Sequence, residues 1–323
     1  MSAILEIPAL IDMHVHFREP GFEYKETIET GAKAAFRGGF RTVCAMPNTN
    51  PVQDSVEVVS GVIKKAQNTG VRVLPVAAVT KNLDSKELVD FKSLKNAGAI
   101  AFSNDGLPIL DEAVFERALL SGELIISHAE SETEEVEWQI DVLKSVSRKT
   151  EARLHFAHIS KAASLELIRK GKALNLPVTC ETAPHYFTFT RNDVTDNGVF
   201  KMNPPLGDEG DKDAVIESVK DGTIDVIATD HAPHGRDEKL RPYNEAPNGI
   251  TGLETALSLT LKAFDIETAV KKMAENPAKI LRIDNSQTVK VDLDKVWTVK
   301  GEDFSSKCKI TPYEGMELKG IVI

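Results

Sequence analysis

Eight short apolar runs, several of them β-branched, recur along the chain, and segments of helical length and mixed charge separate most of them. The runs are LIDMHV (10–15), TVCAM (42–46), VRVLPVAAV (71–79), AIAFS (99–103), LIISHA (124–129), LHFAHI (154–159), PVTCETA (177–183) and DVIATD (225–230). Intervening segments such as KETIETGAKAAFRGG (25–39), SVEVVSGVIKKAQNTG (55–70) and SLELIRKGKALN (164–175) have helical periodicity. Glycines at Gly38-Gly39, Gly70, Gly98 and Gly122 offer helix stops. Strands alternating with helices imply parallel βαβ units, and eight is the count that closes a barrel. The expected fold is α/β, a (β/α)8 TIM barrel over residues 8–284. A doubly wound open sheet is the alternative, but the chain has neither a dinucleotide fingerprint nor a phosphate-binding P-loop.

Two stretches break the alternation: 191–214 and 234–252 read as long irregular βα loops. Loops of that length in a compact domain are usually functional or disordered. The second opens at His234 and closes on NGITG, and it is expected to act as a lid over the barrel rim. After Asn285 the chain turns to short β-like pieces, so residues 285–323 with 1–7 are expected to form a small appended β region.

Acidic residues outnumber basic ones 49 to 39, a net charge of −10. That balance argues against a nucleic-acid partner and against an anionic membrane surface. A small anionic substrate would need local cations. Cys44, Cys180 and Cys308 lie far apart, and an odd number cannot form a closed disulfide set. With no signal-like leader and no apolar run of spanning length, the expected location is the cytoplasm.

The active site of an α/β barrel sits at the C-terminal ends of its strands. Those ends carry His14, His16 and Arg18, then Asn48, then Asn104 and Asp105, then His128, His158, and finally Asp230, His231 and His234. His14 and His16, two residues apart on a strand, share one face. Imidazole and carboxylate are the usual ligands of borderline divalent ions such as Zn²⁺. Four histidines (14, 16, 128, 158) and two aspartates (105, 230) at one rim can hold one ion, or two sharing a bridging carboxylate.

The motifs IDMHVHFREP, MPNTNP, FSNDG, CETAPHY, MNPPL, ATDHAPH and GITGLETAL follow one another from about residue 8 to 282. In that order they resemble the dihydroorotases of the bacterial type I branch of the amidohydrolase superfamily. The resemblance implies that His14, His16 and Asp230 bind a first metal, that Asp105 bridges, and that His128 and His158 bind a second. It implies substrate contacts from Arg18, Asn48, Asn203 and His234, and from the APNG segment including Pro247 and Asn248. Many relatives bridge their metals with a carboxylated lysine; GAIAFSND has no lysine in the corresponding place, which leaves Asp105. Gly207 follows NPPL where an arginine is usual, and the stretch between His128 and His158 is shorter than usual.

The implied reaction is reversible cyclisation of N-carbamoyl-L-aspartate to L-dihydroorotate, a step of de novo pyrimidine (UMP) biosynthesis, with one or two Zn²⁺ per chain. Asp230 is the expected proton carrier. Arg18 is the expected guanidinium for the substrate carboxylate. The implied partners are that small anionic substrate, a second copy in a homodimer, and an aspartate transcarbamoylase. An allantoinase- or hydantoinase-like enzyme and a non-catalytic subunit partnering aspartate transcarbamoylase are the competing readings. Of the other histidines, His155 is expected to pack on the opposite face from His158. Glu181 is a candidate to support a histidine ligand from behind, His185 is a weaker candidate for such a role, and His231 is a candidate for a structural hydrogen bond beside Asp230.

Overall fold

All eight expected strands form and pair in parallel, in sequence order, in a computed structural model that describes residues 4–323. Residues 1–3 of the expected N-terminal β region lie outside the described residues. The strands are β1 (Ile4–Pro8), β2 (Leu10–Val15), β3 (Phe40–Ala45), β4 (Arg72–Ala78), β5 (Ala101–Ser103), β6 (Leu124–Ser127), β7 (Arg153–Phe156), β8 (Val178–Thr182), β9 (Val226–Ile227), β10 (Thr288–Thr298) and β11 (Glu317–Val322). Strands β2 to β9 make the barrel sheet, and β1, β10 and β11 make a separate antiparallel sheet in the order β1-β10-β11. Among the described residues, no helix is long and apolar enough to cross a membrane.

The barrel interior is a small apolar cluster that includes Ile11, Met13, Cys44, Met46, Val76 and Ile126. A larger cluster lies between the sheet and the surrounding helices. Burying both faces explains why the strands read as unbroken apolar runs. Leu281, from the helix Asn276–Leu281, joins the interior cluster beside Ile100, at the N-terminal end of the strands. The opposite end is left open to chemistry.

Two local departures from regularity aim β2, the first strand of the barrel. Between Asp12 and Val15 the register of β2 against β3 slips: Asp12 faces Val43 and Val15 faces Ala45, so three steps on one strand match two on the other. Ile11 and Met13 therefore belong to the interior cluster while Val15 and Phe17 belong to the outer one. A slip of one residue inverts the facing of everything after it. His14 and His16 end up at the barrel mouth because of it. The seam between β9 and β2 has no regular ladder; it is closed by a parallel bridge between Val15 and His231 and by His16 N donating to His231 O at 2.8 Å. Asp12 staples the same seam, since its Oδ1 accepts from His14 N (3.0 Å) and from Thr229 N (3.2 Å).

Helix boundaries follow local chemistry. The helix Ile28–Arg37 starts on a Thr27–Thr30 capping box and stops at Gly38. Gly39 then turns the chain with φ 90, and a Cβ there would sit 2.8 Å from Val322 Cγ2, so the small sheet packs where only glycine fits. Gly98 ends its helix in the left-handed conformation, whereas Gly70 and Gly122 lie past the caps Gln67 and Leu120 and serve the turns that follow. The irregular stretch expected over 191–214 is shorter than that. A helix begins at Glu209, because Asp208 and Asp211 form a reciprocal capping box. A run of Asp and Gly read as loop composition is here a helix start. The 234–252 segment is irregular apart from the short helix Arg236–Lys239.

Candidate metal centre

The inward turn of β2 brings His14 and His16 to the floor of a cavity of about 240 Å³ at the C-terminal ends of the strands. Arg18, Asn48, Asp105, His128, His158, Asn203, Asp230 and Asn248 line the same cavity, with Glu130 at its exposed edge. The rim thus collects all six expected ligands and four of the six expected substrate contacts.

Three of the four imidazoles are oriented from behind. His14 Nδ1 lies 2.8 Å from Glu181 Oε1, His16 Nδ1 lies 3.0 Å from Asn48 Oδ1, and His128 Nδ1 lies 2.9 Å from Ser103 Oγ. With Nδ1 donating to Glu181 and to Asn48, the Nε2 atoms of His14 and His16 present lone pairs inward. Those atoms meet carboxylates instead of donors. His14 Nε2 is 3.3 Å from Asp105 Oδ2 and 3.4 Å from Asp230 Oδ1. His16 Nε2 is 3.2 Å from Asp230 Oδ1 and 3.3 Å from Asp105 Oδ2. His128 Nε2 is 3.4 Å from Asp105 Oδ2 and 3.4 Å from His14 Nε2. One oxygen, Asp105 Oδ2, therefore sits against three imidazoles.

A cluster of acceptors facing acceptors, all buried, is stable only if a positive charge is shared among them. The shifts of the two aspartates and of His14 run the same way. Burial pushes the carboxyls of Asp105 and Asp230 up, yet the surrounding histidines hold both below the ordinary range. Burial opposes charging of His14, but Asp230, Asp105 and Glu181 raise it well above the usual imidazole value. In His128 burial wins, and the pKa falls to about 3. Two triads have ligand atoms within 4.8 Å of one another: His14/His16/Asp105 and His14/His128/His158. His158 Nδ1 is buried without a hydrogen-bond partner. This donor set fits a divalent cation, and no lysine lines the cavity.

Backbone strain marks the same positions. Arg18, His158 and Asp230 have φ of 62, 37 and 47, in the left-handed region that costs roughly 1–3 kcal/mol for a residue with a side chain. Strained residues cluster where a fixed side-chain direction matters more than backbone comfort. Arg18 Nε donates to Pro233 O (3.2 Å), and its NH2 lies 3.1 Å from His234 Nε2. His234 Nδ1 accepts from Lys25 Nζ (3.2 Å), so its Nε2–H donates to Asn248 O (2.7 Å). Burial, Arg18 and Lys25 lower its pKa to about 2, which keeps the ring neutral.

Two of the expected substrate contacts stand behind the wall and do not line the cavity. His234 donates to the Asn248 carbonyl beside Arg18, and Pro247 offers its carbonyl to Lys239. Asn48 lines the cavity and also orients His16. His155 stays out of the ligand group, as its place on β7 implied, but it is not mere packing. Its Nε2 lies 3.2 Å from Glu181 Oε2, and Thr179 Oγ1 is 2.8 Å from its Nδ1. Neither ring nitrogen of His185 has a hydrogen-bond partner. His231 faces Glu26 at 3.5 Å behind Asp230. Asn104 accepts from Val79 N and Thr80 N and so fixes the loop before Asp105.

A family model described as dihydro-orotase-like matches residues 4–135. The dihydroorotase of Desulforapulum autotrophicum is 41% identical, with 100% of this chain and 85% of that protein covered. The dihydroorotase of Caldanaerobacter subterraneus is 42% identical over 98% of this chain and 83% of its own length. The chain belongs to the dihydroorotase family. Among solved structures, the L-hydantoinase (dihydropyrimidinase) from Arthrobacter aurescens superposes with a TM-score of 0.85 at 23% identity, covering 99% of this chain and 83% of that one. That likeness supports the barrel and the small sheet, as a fold shared within a dihydroorotase.

Glu181 gives this centre its first test. Its carboxylate is buried, faces His14 on one oxygen and His155 on the other, and is held below the ordinary range by those two histidines in spite of burial. Groups of this kind fix the ligand's tautomer and raise its basicity. Glu181→Gln is expected to lower metal affinity about tenfold or more while the fold persists. Chelator competition followed by metal analysis reads the affinity, and circular dichroism reads the fold.

Proposed function

We propose that the chain is a metal-dependent dihydroorotase, interconverting L-dihydroorotate and water with N-carbamoyl-L-aspartate in de novo pyrimidine biosynthesis. The observation that carries this reading is the convergence of four imidazoles and two carboxylates on one cavity with Arg18 in its wall. His14, His16, Asp105, His128, His158 and Asp230 would hold one or two divalent ions, with Zn²⁺ the natural choice for a nitrogen- and oxygen-rich set. When bound, such an ion supplies Lewis acidity, polarising the amide carbonyl and lowering the pKa of water.

The chain's own groups do the rest. Asp230, held ionised by His14 and His16, accepts a proton from the attacking water on its carboxylate. The water oxygen bonds to the ring carbonyl carbon, the ring C–N bond breaks, and Asp230 returns the proton to the departing ureido nitrogen. Run backwards, the same proton transfers close the ring and release water. Arg18, aimed by Pro233 O, binds the substrate carboxylate, and Asn48, Asn203 and Asn248 orient the ring. The 234–252 segment would exclude water as a lid. By the same reading the chain works in the cytoplasm as a homodimer that docks to an aspartate transcarbamoylase, which sedimentation of the chain alone and mixed with that enzyme checks.

Steady-state hydrolysis of dihydroorotate beside hydantoin and allantoin tests the assignment. The reading expects kcat/KM for dihydroorotate to lead by about 10²-fold or more, because Arg18 has a carboxylate to pair with in that substrate alone. A preference for hydantoin or allantoin would move the chain to another cyclic amidohydrolase activity.

A further inference from the structure

One buried cation in the lid segment has no part in the scheme above. Lys239 closes the short helix Arg236–Lys239 and is 2% exposed. Its ammonium is satisfied by two carbonyls, Lys201 O at 3.0 Å and Pro247 O at 3.2 Å. Burial, with Lys201 and Arg18 close by, lowers its pKa to about 8. An ammonium placed there forfeits its hydration, and charge-assisted bonds are what can offset that loss.

The two carbonyls belong to different stretches of chain. Lys201 lies two residues before Asn203, and Pro247 immediately precedes Asn248 and Gly249; Asn203, Asn248 and Gly249 all line the cavity. The stretches are laced a second time by Gly249 N donating to Lys201 O at 2.9 Å. Gly249 also lies tight against the exit of β9: its φ is 127, and a Cβ would come within 2.5 Å of Ala232 O. The amine therefore sits at the point where two cavity-lining segments are joined to each other, with no atom of its own among the cavity walls.

We propose that Lys239 is a positioning residue that clasps the 201–203 and 247–249 segments into one wall, and so sets the affinity for the cyclic amide and not the rate of its opening. The proposal rests on the dihydroorotase reading for its substrate. Lys239→Met keeps the aliphatic stem and removes the donors. The expected result is a KM for dihydroorotate raised about tenfold with kcat within about twofold, the pattern of lost uniform binding. Zinc content and thermal melting should match the unaltered chain. A second measurement needs no variant: in hydrogen exchange of the unaltered chain, saturating dihydroorotate slows the amides of 198–203 and 246–250 together. An unchanged KM in the variant, a fall in kcat alone, or protection of one segment without the other overturns the clasp while leaving the dihydroorotase reading intact. Failure of the unaltered chain to open dihydroorotate overturns that reading, and the clasp with it.

Discussion

Alanine at both His14 and His16 is expected to abolish dihydroorotate turnover and strip the metal while the barrel stays folded. His14 belongs to both ligand triads and His16 to one, so the double change leaves neither triad with three donors. Lewis-acid stabilisation and the lowered water pKa disappear together, which predicts a loss of more than about 10⁴-fold in kcat/KM. The fold should survive because the two rings lie beyond the apolar layer of Ile11, Met13, Cys44 and Met46 that fills the barrel. Metal analysis, circular dichroism and the hydrolysis assay read the three outcomes separately. Unfolding of the double variant would mean that the register slip in β2 is maintained by the histidines, not by Asp12 and the seam.

Asp230→Asn is the second large effect. The amide preserves the shape of the side chain but cannot accept a proton from water, and general-base contributions are typically about 10²–10⁴-fold. That loss is expected in kcat, with a smaller change in KM, because Arg18 and the cavity asparagines remain. Neither ligand triad includes Asp230, so metal binding should persist in part. A variant that keeps its kcat but loses substrate affinity would assign Asp230 to binding and leave the proton to another group.

The sequence carried the strand count and the rim chemistry because both depend on short-range pattern. Unbroken apolar runs mark strands buried on both faces, and the polar residues that end them are where the barrel rule places a site. What it did not carry depends on long-range geometry. His14 and His16 do share a face, but they reach the cavity through a register slip that also lets Met13 point inward, and nothing in IDMHVH announces the slip. His234 has the right spacing for a substrate contact, yet Lys25, from a distant loop, and Asn248 claim its nitrogens and set it behind Arg18. Lys239 was invisible for a different reason: its partners are backbone carbonyls, which have no sequence signature. Ser103 likewise reads as one more strand residue until His128 is seen against it. The helix start at Asp208 was the most recoverable miss, since Asp followed three residues later by Asp is a capping pattern that the glycines around it obscured.

The central claim is that a divalent ion held by these six residues, with Asp105 in place of a modified lysine, is what makes the chain open dihydroorotate. Titrating Zn²⁺ into chelator-stripped protein in bicarbonate-free buffer, while following dihydroorotate hydrolysis, tests it most directly. The account predicts no turnover without metal and a linear rise that levels at one or two equivalents per chain, indifferent to added bicarbonate. Turnover that survives complete metal removal, or that returns only with bicarbonate, would contradict it.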